Sequence, residues 1–317
     1  MTHILRLLRP AKTSAKTDSM RCVLGVIGVA WLFGTAHGDG LQDGFGPREV
    51  AVGEAMRGGA TGASAIGLNP AGLPLSRELV FEGGYGYRAS DSASLVGVSA
   101  CDSTNLMPGC FFYEYAGSSP ELAGMIGTRS THIGGLALSR QFVPRVMIGA
   151  TTKYYHFDST MTGEKAASGF VFDLGATVRM TQMINLGISA QNLFATQESA
   201  QFPRALGAGV LVRPVPTLTM SFDSRWKVDG EDNRARYGGG LEWFLKAGQN
   251  GYPIRIGGLR DNGLDATYVS GGLGFASMKW GLDVGARYQV KGGDELLVLA
   301  SMRVFGPRMP GPTIESE

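Results

Sequence analysis

Residues 279–290 read Lys-Trp-Gly-Leu-Asp-Val-Gly-Ala-Arg-Tyr-Gln-Val, and their strict alternation decides the fold. Trp280, Leu282, Val284, Ala286, Tyr288 and Val290 fall on one face of an extended chain, because successive side chains of a strand point to opposite sides. Lys279, Gly281, Asp283, Gly285, Arg287 and Gln289 fall on the other. The pattern recurs at 170–180 and at 217–227. A soluble sandwich also alternates, with its apolar side turned inward. Three details favour a barrel in lipid instead. The polar face is glycine, serine and threonine with sparse charges. The segments run near the ~9–11 residues that cross a bilayer at a tilt. Trp and Tyr stand near strand ends, as in an aromatic girdle.

Composition narrows the alternatives. Of 317 residues 48 are glycine, roughly twice the usual share near ~7%. They show no three-residue period, which excludes collagen, and the many Phe, Tyr, Leu and Val residues exclude disorder. The longest apolar run, Cys22–Phe33, is shorter than the ~20 residues of a spanning helix. A formal charge of +2 gives no reason to expect nucleic acid.

Extending the alternation along the chain predicts strands at 79–88, 92–101, 109–116, 132–142, 146–157, 169–180 and 184–193. The second half continues at 204–213, 217–227, 235–245, 253–260, 267–276, 279–290 and 295–305. The fold class is thus all-β, an outer-membrane barrel of about fourteen antiparallel strands. Connections sort by parity. Long ones at 117–131, 158–168, 194–203, 228–234 and 261–266 alternate with tight turns at 143–145, 181–183, 214–216 and 277–278. Short turns belong in the periplasm.

Arg21, the apolar run and the small residues Gly34-Thr35-Ala36 make a secretory signal peptide over 1–38, with Met20 a more natural start than Met1. Residues 39–77 do not alternate. Gly46-Pro47 is expected to open a short helix with Val52, Ala55 and Met56 on one face. A glycine-alanine stretch follows and leads to Asn69-Pro70-Ala71-Gly72-Leu73. The barrel is expected over 78–305, and the proline-rich tail 306–317 is expected to stay mobile on the periplasmic side.

The Asn-Pro-Ala-Gly-Leu run just before the first strand resembles the N-terminal hatch of the FadL/PorV-like outer-membrane proteins. Arg48, Gly53, Gly58, Gly59, Asn69, Pro70, Ala71 and Gly72 fall where that pattern wants them, whereas Leu68 stands where the family often has an aromatic. Fainter likeness continues through Lys153-Tyr154-Tyr155, Phe172–Gly175, Gly187–Leu193 and Phe202-Pro203-Arg204. The resemblance implies a barrel whose segment 39–77 folds inside as a luminal plug. Those eight residues would then shape or gate it.

No catalytic constellation is present: no GxSxG elbow, P-loop or complete GxGxxG. His132 and His156 lack metal-ligand spacing, and an outer-membrane lipase built on a serine and His156 has no elbow to support it. The expectation is no enzyme, no metal and no cofactor. By alternation Asp173, Arg179, Asp223, Arg225, Lys227, Glu242, Asp283 and Arg287 face the lumen, since isolated charges in lipid are costly. With both signs present, they read as cross-strand and plug-to-wall ion pairs more than as a pore lining. No apolar pocket is visible in the barrel sequence. Cys101 and Cys110 flank the turn 102–109, and in the oxidising periplasm they are expected to form a disulfide.

Two functions compete. One is a FadL-like channel that passes hydrophobic or amphipathic small molecules across the outer membrane of a Gram-negative bacterium. The other is a PorV-like barrel that docks an exported protein partner, with a purely structural subunit as a third reading. Outer-membrane lipid surrounds the protein in each.

Overall fold

The computed structural model describes residues 46–308, apart from 123–124, 162–163, 196–201 and 229–233. The expected signal peptide and most of the expected tail lie outside the described residues. Fourteen antiparallel strands close into a barrel: β1 (Glu78–Arg88), β2 (Ala93–Asp102), β3 (Gly109–Ser118), β6 (Arg129–Val143), β7 (Val146–Ser159), β8 (Ala167–Arg179), β9 (Ile184–Leu193), β10 (Ala205–Val215), β11 (Leu218–Lys227), β12 (Arg234–Ala247), β13 (Asn250–Asp261), β14 (Ala266–Ala276), β15 (Trp280–Lys291) and β16 (Leu296–Arg308). The short β4 (Glu121–Leu122) and β5 (Met125–Ile126) pair with each other in the loop between β3 and β6. Each barrel strand pairs with its neighbours in sequence order, and β1 closes on β16 with Tyr85 opposite Ala300. No sheet edge is left in the barrel, as lipid requires of backbone groups.

The alternation is what turns the sheet inside out. Along β15, Leu282 and Val284 are 44% and 50% exposed on the outer face, while Asp283 between them is 1% exposed inside. Tyr252, Phe275 and Trp280 pack ring against ring beside the short turns, and Tyr154 stacks on Phe170 toward the long loops. These are the two aromatic belts of a barrel in a bilayer. The turns at 144–145, 216–217 and 248–249 lie on one side and the long connections on the other. Several strands are longer than expected, with 15 residues in β6 and 14 in β7 and β12. The ladders do not stop where the lipid-facing pattern fades: β6 and β7 stay paired up to Arg129 opposite Ser159. At the other end β16 runs to Arg308, past the expected barrel end at 305.

Before β1 the chain lies in the lumen. Helix α1 (Pro47–Ala51) begins with Pro47 at a position whose N–H would be unpaired anyway. It stops because Gly53 and then Glu54 adopt φ of 68° and 60°. Val52, Ala55 and Met56 therefore follow the helix instead of forming its face. Helix α2 (Ala63–Leu68), inside the glycine-alanine stretch, has no strong sequence signal, and Asn69 before Pro70 ends it in extended backbone. A 3-10 turn, Pro70–Leu75, leads to β1.

Candidate functional site

The plug is seated on the wall by missing side chains. An added Cβ at Gly187 would lie 2.1 Å from the Arg57 carbonyl oxygen, at Gly238 1.9 Å from that of Gly53, and at Gly285 2.2 Å from that of Pro47. On β7 and β8, Gly149 meets Pro70 and Gly175 meets Asn69 in the same way. The luminal segment thus runs along the inner wall from β15 back to β7. Gly58 abuts the backbone of Leu211, Gly59 its side chain, and Gly72 the carbonyl of Ala60.

Asn69 ties this segment together. Its Oδ1 accepts from Ala71 N at 3.2 Å, closing the turn through Pro70. Its Nδ2 lies 2.9 Å from the Arg57 oxygen, 2.9 Å from Thr177 Oγ1 and 3.2 Å from the Ala176 oxygen. Two hydrogens shared among three acceptors link both arms of the plug to β8. Asn69 is fully buried.

Charges complete the seat. Arg57 donates from its backbone N and its Nη1 to Asp223 Oδ2 at 2.9 and 3.2 Å, and from Nε to Ser189 at 3.2 Å. Glu54 bridges Arg287 and Arg236, and Arg236 reaches Asp261 at 2.9 Å. Arg255 joins Glu242 and Asp283, both at 2.6 Å. Lys153 pairs with Asp173 at 2.7 Å, and Asp173 Oδ1 accepts the Asn192 N–H at 2.8 Å, where the β8–β9 register shifts. Arg225 donates to Gln191 at 2.9 Å. Lys227 is buried at the long-loop end of β11, and Arg179 is half-buried at the turn end of β8. Arg48 borders the mouth at the short-turn end and leaves its Nε without a hydrogen bond among the described residues.

Sequence reasoning does not place five members in this seat. Lys153, Arg236 and Arg255 share the inward parity of the charges expected to face the lumen. Arg57 and Glu54 sit in a non-alternating segment where no period picks them out.

The lumen is not charged throughout. Phe112, Ile133, Tyr155 and Val171 point inward and form one buried cluster with Ile66, Leu68 and Leu73 of the plug and with Phe202. Tyr155 stacks on Phe202 with centroids 4.1 Å apart. An apolar wall therefore exists, on the β3–β8 side. Beside it lies an inner cavity of about 70 Å³, bordered by Leu68, Phe112, Ile133 and Phe202. A second cavity of about 330 Å³ opens at the short-turn end.

Cys101 and Cys110 face each other across β2 and β3, with α carbons 4.0 Å apart, as a disulfide. The two histidines are not isolated: His132 and His156 are cross-strand neighbours on β6 and β7, with centroids 6.4 Å apart. They lie on the outer face, where Tyr113 Oη meets His132 Nδ1 at 2.7 Å. Among the described residues no group of three or more His, Cys, Asp or Glu side chains could hold a metal ion.

No family model matches the sequence, and no curated protein is similar to it. Solved structures are similar in shape. The CymD monoaromatic hydrocarbon channel superposes with a TM-score of 0.66 at 13% identity, over 86% of this chain and 100% of that one. The toluene transporter TodX of Pseudomonas putida gives 0.60 at 10%, over 86% and 99%. A FadL homologue of Pseudomonas aeruginosa gives 0.58 at 10%, over 86% and 99%. At such identities the likeness is one of architecture, and that architecture, a closed antiparallel barrel of fourteen strands, is the fold of the FadL-type outer-membrane channels.

Proposed function

We propose that the protein passes small hydrophobic molecules across the outer membrane of a Gram-negative bacterium, with monoaromatic hydrocarbons the first class to try. The observation that carries this reading is the apolar luminal wall of Phe112, Ile133, Tyr155 and Val171, set against a plug in a closed barrel. A barrel that served only as a scaffold has no need to line its interior with aromatic and branched side chains. Ligand pockets are concave and mostly apolar, with a few polar groups. Fold likeness to the CymD monoaromatic hydrocarbon channel and to the toluene transporter TodX supports the same class. Arg48, Gly53, Gly58, Gly59, Asn69, Pro70, Ala71 and Gly72 are proposed to hold the plug in its resting shape. In this reading the protein acts without catalysis or cofactor.

The test is uptake of labelled toluene by cells carrying the protein, against cells carrying an Ile133→Asp variant and cells with the empty vector. Uptake above the vector background, reduced by the variant, is the expected result. Uptake equal to background, with a stoichiometric exported protein co-purifying, would move the assignment to the docking role.

A further inference from the structure

Two chambers of opposite sign flank the first residues of the plug. The inner cavity is bordered by Glu49, Glu82 and Glu114. Glu49 is 4% exposed, and its Oε2 has no hydrogen-bond partner among the described residues. Of the two cations on this cavity, Lys153 is neutralised by Asp173, and Arg225, bonded to the neutral Gln191, is one positive charge against three carboxyl groups. The cavity at the short-turn end is bordered instead by Arg48, Lys246, Arg255 and Arg303, with the Arg308–Glu78 pair at its edge. Glu242 and Asp283 pair with Arg255, and Asp283 also with Arg303, so the positive excess rests on Arg48 and Lys246. The division is sharp. Arg48 and Glu49 are neighbours in the chain, yet each borders a different chamber. Glu82 and Arg303 face each other across the β1–β16 ladder and part the same way.

We propose that the two chambers act in series as a bipolar charge filter, which passes neutral molecules and rejects organic ions of either sign. The inference rests on the transport reading above and specifies its substrate class. An organic anion meets an excess of buried carboxyl groups, Glu49 Oε2 among them without a partner, in a confined, low-dielectric space where like charges are weakly screened. An organic cation is drawn into that chamber and then faces the excess positive charge of Arg48 and Lys246 at the exit, where the local potential is reversed. A neutral aromatic solute meets neither barrier.

The experiment uses the purified full chain in proteoliposomes, with fluxes corrected for protein-free vesicles. Three solutes of related shape serve as probes: benzyl alcohol, benzenesulfonate and phenyltrimethylammonium, the last two charged at every accessible pH. Wild type is expected to pass benzyl alcohol at least about tenfold faster than either ion, given how steeply confined Coulomb barriers act. Glu49→Gln and Glu114→Gln should each raise benzenesulfonate flux relative to benzyl alcohol and leave phenyltrimethylammonium excluded. Arg48→Gln and Lys246→Gln should do the reverse. Two variants on each chamber keep the test open if one fails to insert. Comparable flux of all three solutes through wild type, or an equal rise of both ions in every variant, overturns the filter while leaving transport standing. Absence of any protein-dependent benzyl alcohol flux overturns transport and the filter with it.

Discussion

At the scale of single residues, Asn69 carries more than its size suggests. Removing its amide leaves the Arg57 carbonyl, the Ala71 N–H and Thr177 Oγ1 in need of partners at a buried site. Buried polar groups left unpaired cost ~1–3 kcal/mol each, so Asn69→Ala should loosen the plug by about 3 kcal/mol. None of those bonds belongs to a barrel ladder. The variant should therefore keep heat-modifiable gel mobility while its plug becomes open to protease, and labelled toluene uptake should change. Loss of barrel insertion would show instead that Asn69 is needed for assembly. The residue was legible in sequence as an extended amide before proline. Its partners on the wall, Ala176 and Thr177, were not, because they lie more than a hundred positions away on β8 and nothing local points there.

At the scale of elements, the hairpin of β2 and β3 and the rim of β6 and β7 make separate predictions. Cys101 and Cys110 occupy one cross-strand pair beside the connection 103–108. Alkylation of the unfolded, unreduced protein should label neither cysteine, and two labels per chain would remove the bridge. At the rim, burial pushes the Glu164 carboxyl up, but hydrogen bonds from Arg129 and Ser159 outweigh it and hold the group below the usual carboxylate range. A carboxyl depressed on folding contributes stability in full above its unfolded value near ~4.3, and loses it as pH falls through the folded value. Protease resistance of this loop should thus hold from neutral pH to about 4.5 and decline below that. Glu164→Gln should flatten the decline, and an unchanged acid profile in the variant would assign the transition to another group. Strand positions were readable because each strand has a greasy and a polar side. Helix α2 was obscured by its own glycines and alanines, which carry no periodic signal.

At the scale of the whole molecule, the wall and the plug are separable in their bonding. The fourteen seams are made by strands alone, whereas the plug is held by side-chain bonds, ion pairs and glycine contacts. Deleting residues 46–65 should leave a barrel that inserts and resists unfolding in detergent, since Asp223, Arg236 and Arg287 would then face water instead of dry protein. Its conductance to small polar solutes should rise from near zero, and a variant that never reaches the outer membrane would refute the separation. Architecture was open to sequence reasoning because the two faces of a lipid barrel must differ everywhere. The apolar luminal wall escaped it because Phe112 and Ile133 sit at inward positions where the same rule expects polar groups, and only the plug opposite explains them.

The course of the luminal segment also sets an order in time. Pro47 and Glu54 are synthesised well before the residues they rest against, Gly285 and Arg287, a separation of 233 residues in the case of Glu54 and Arg287. The seat cannot exist until the last strands have been delivered. Through most of its biogenesis the plug is a passenger without a berth, its buried charges hydrated, and its docking reports that the barrel has closed.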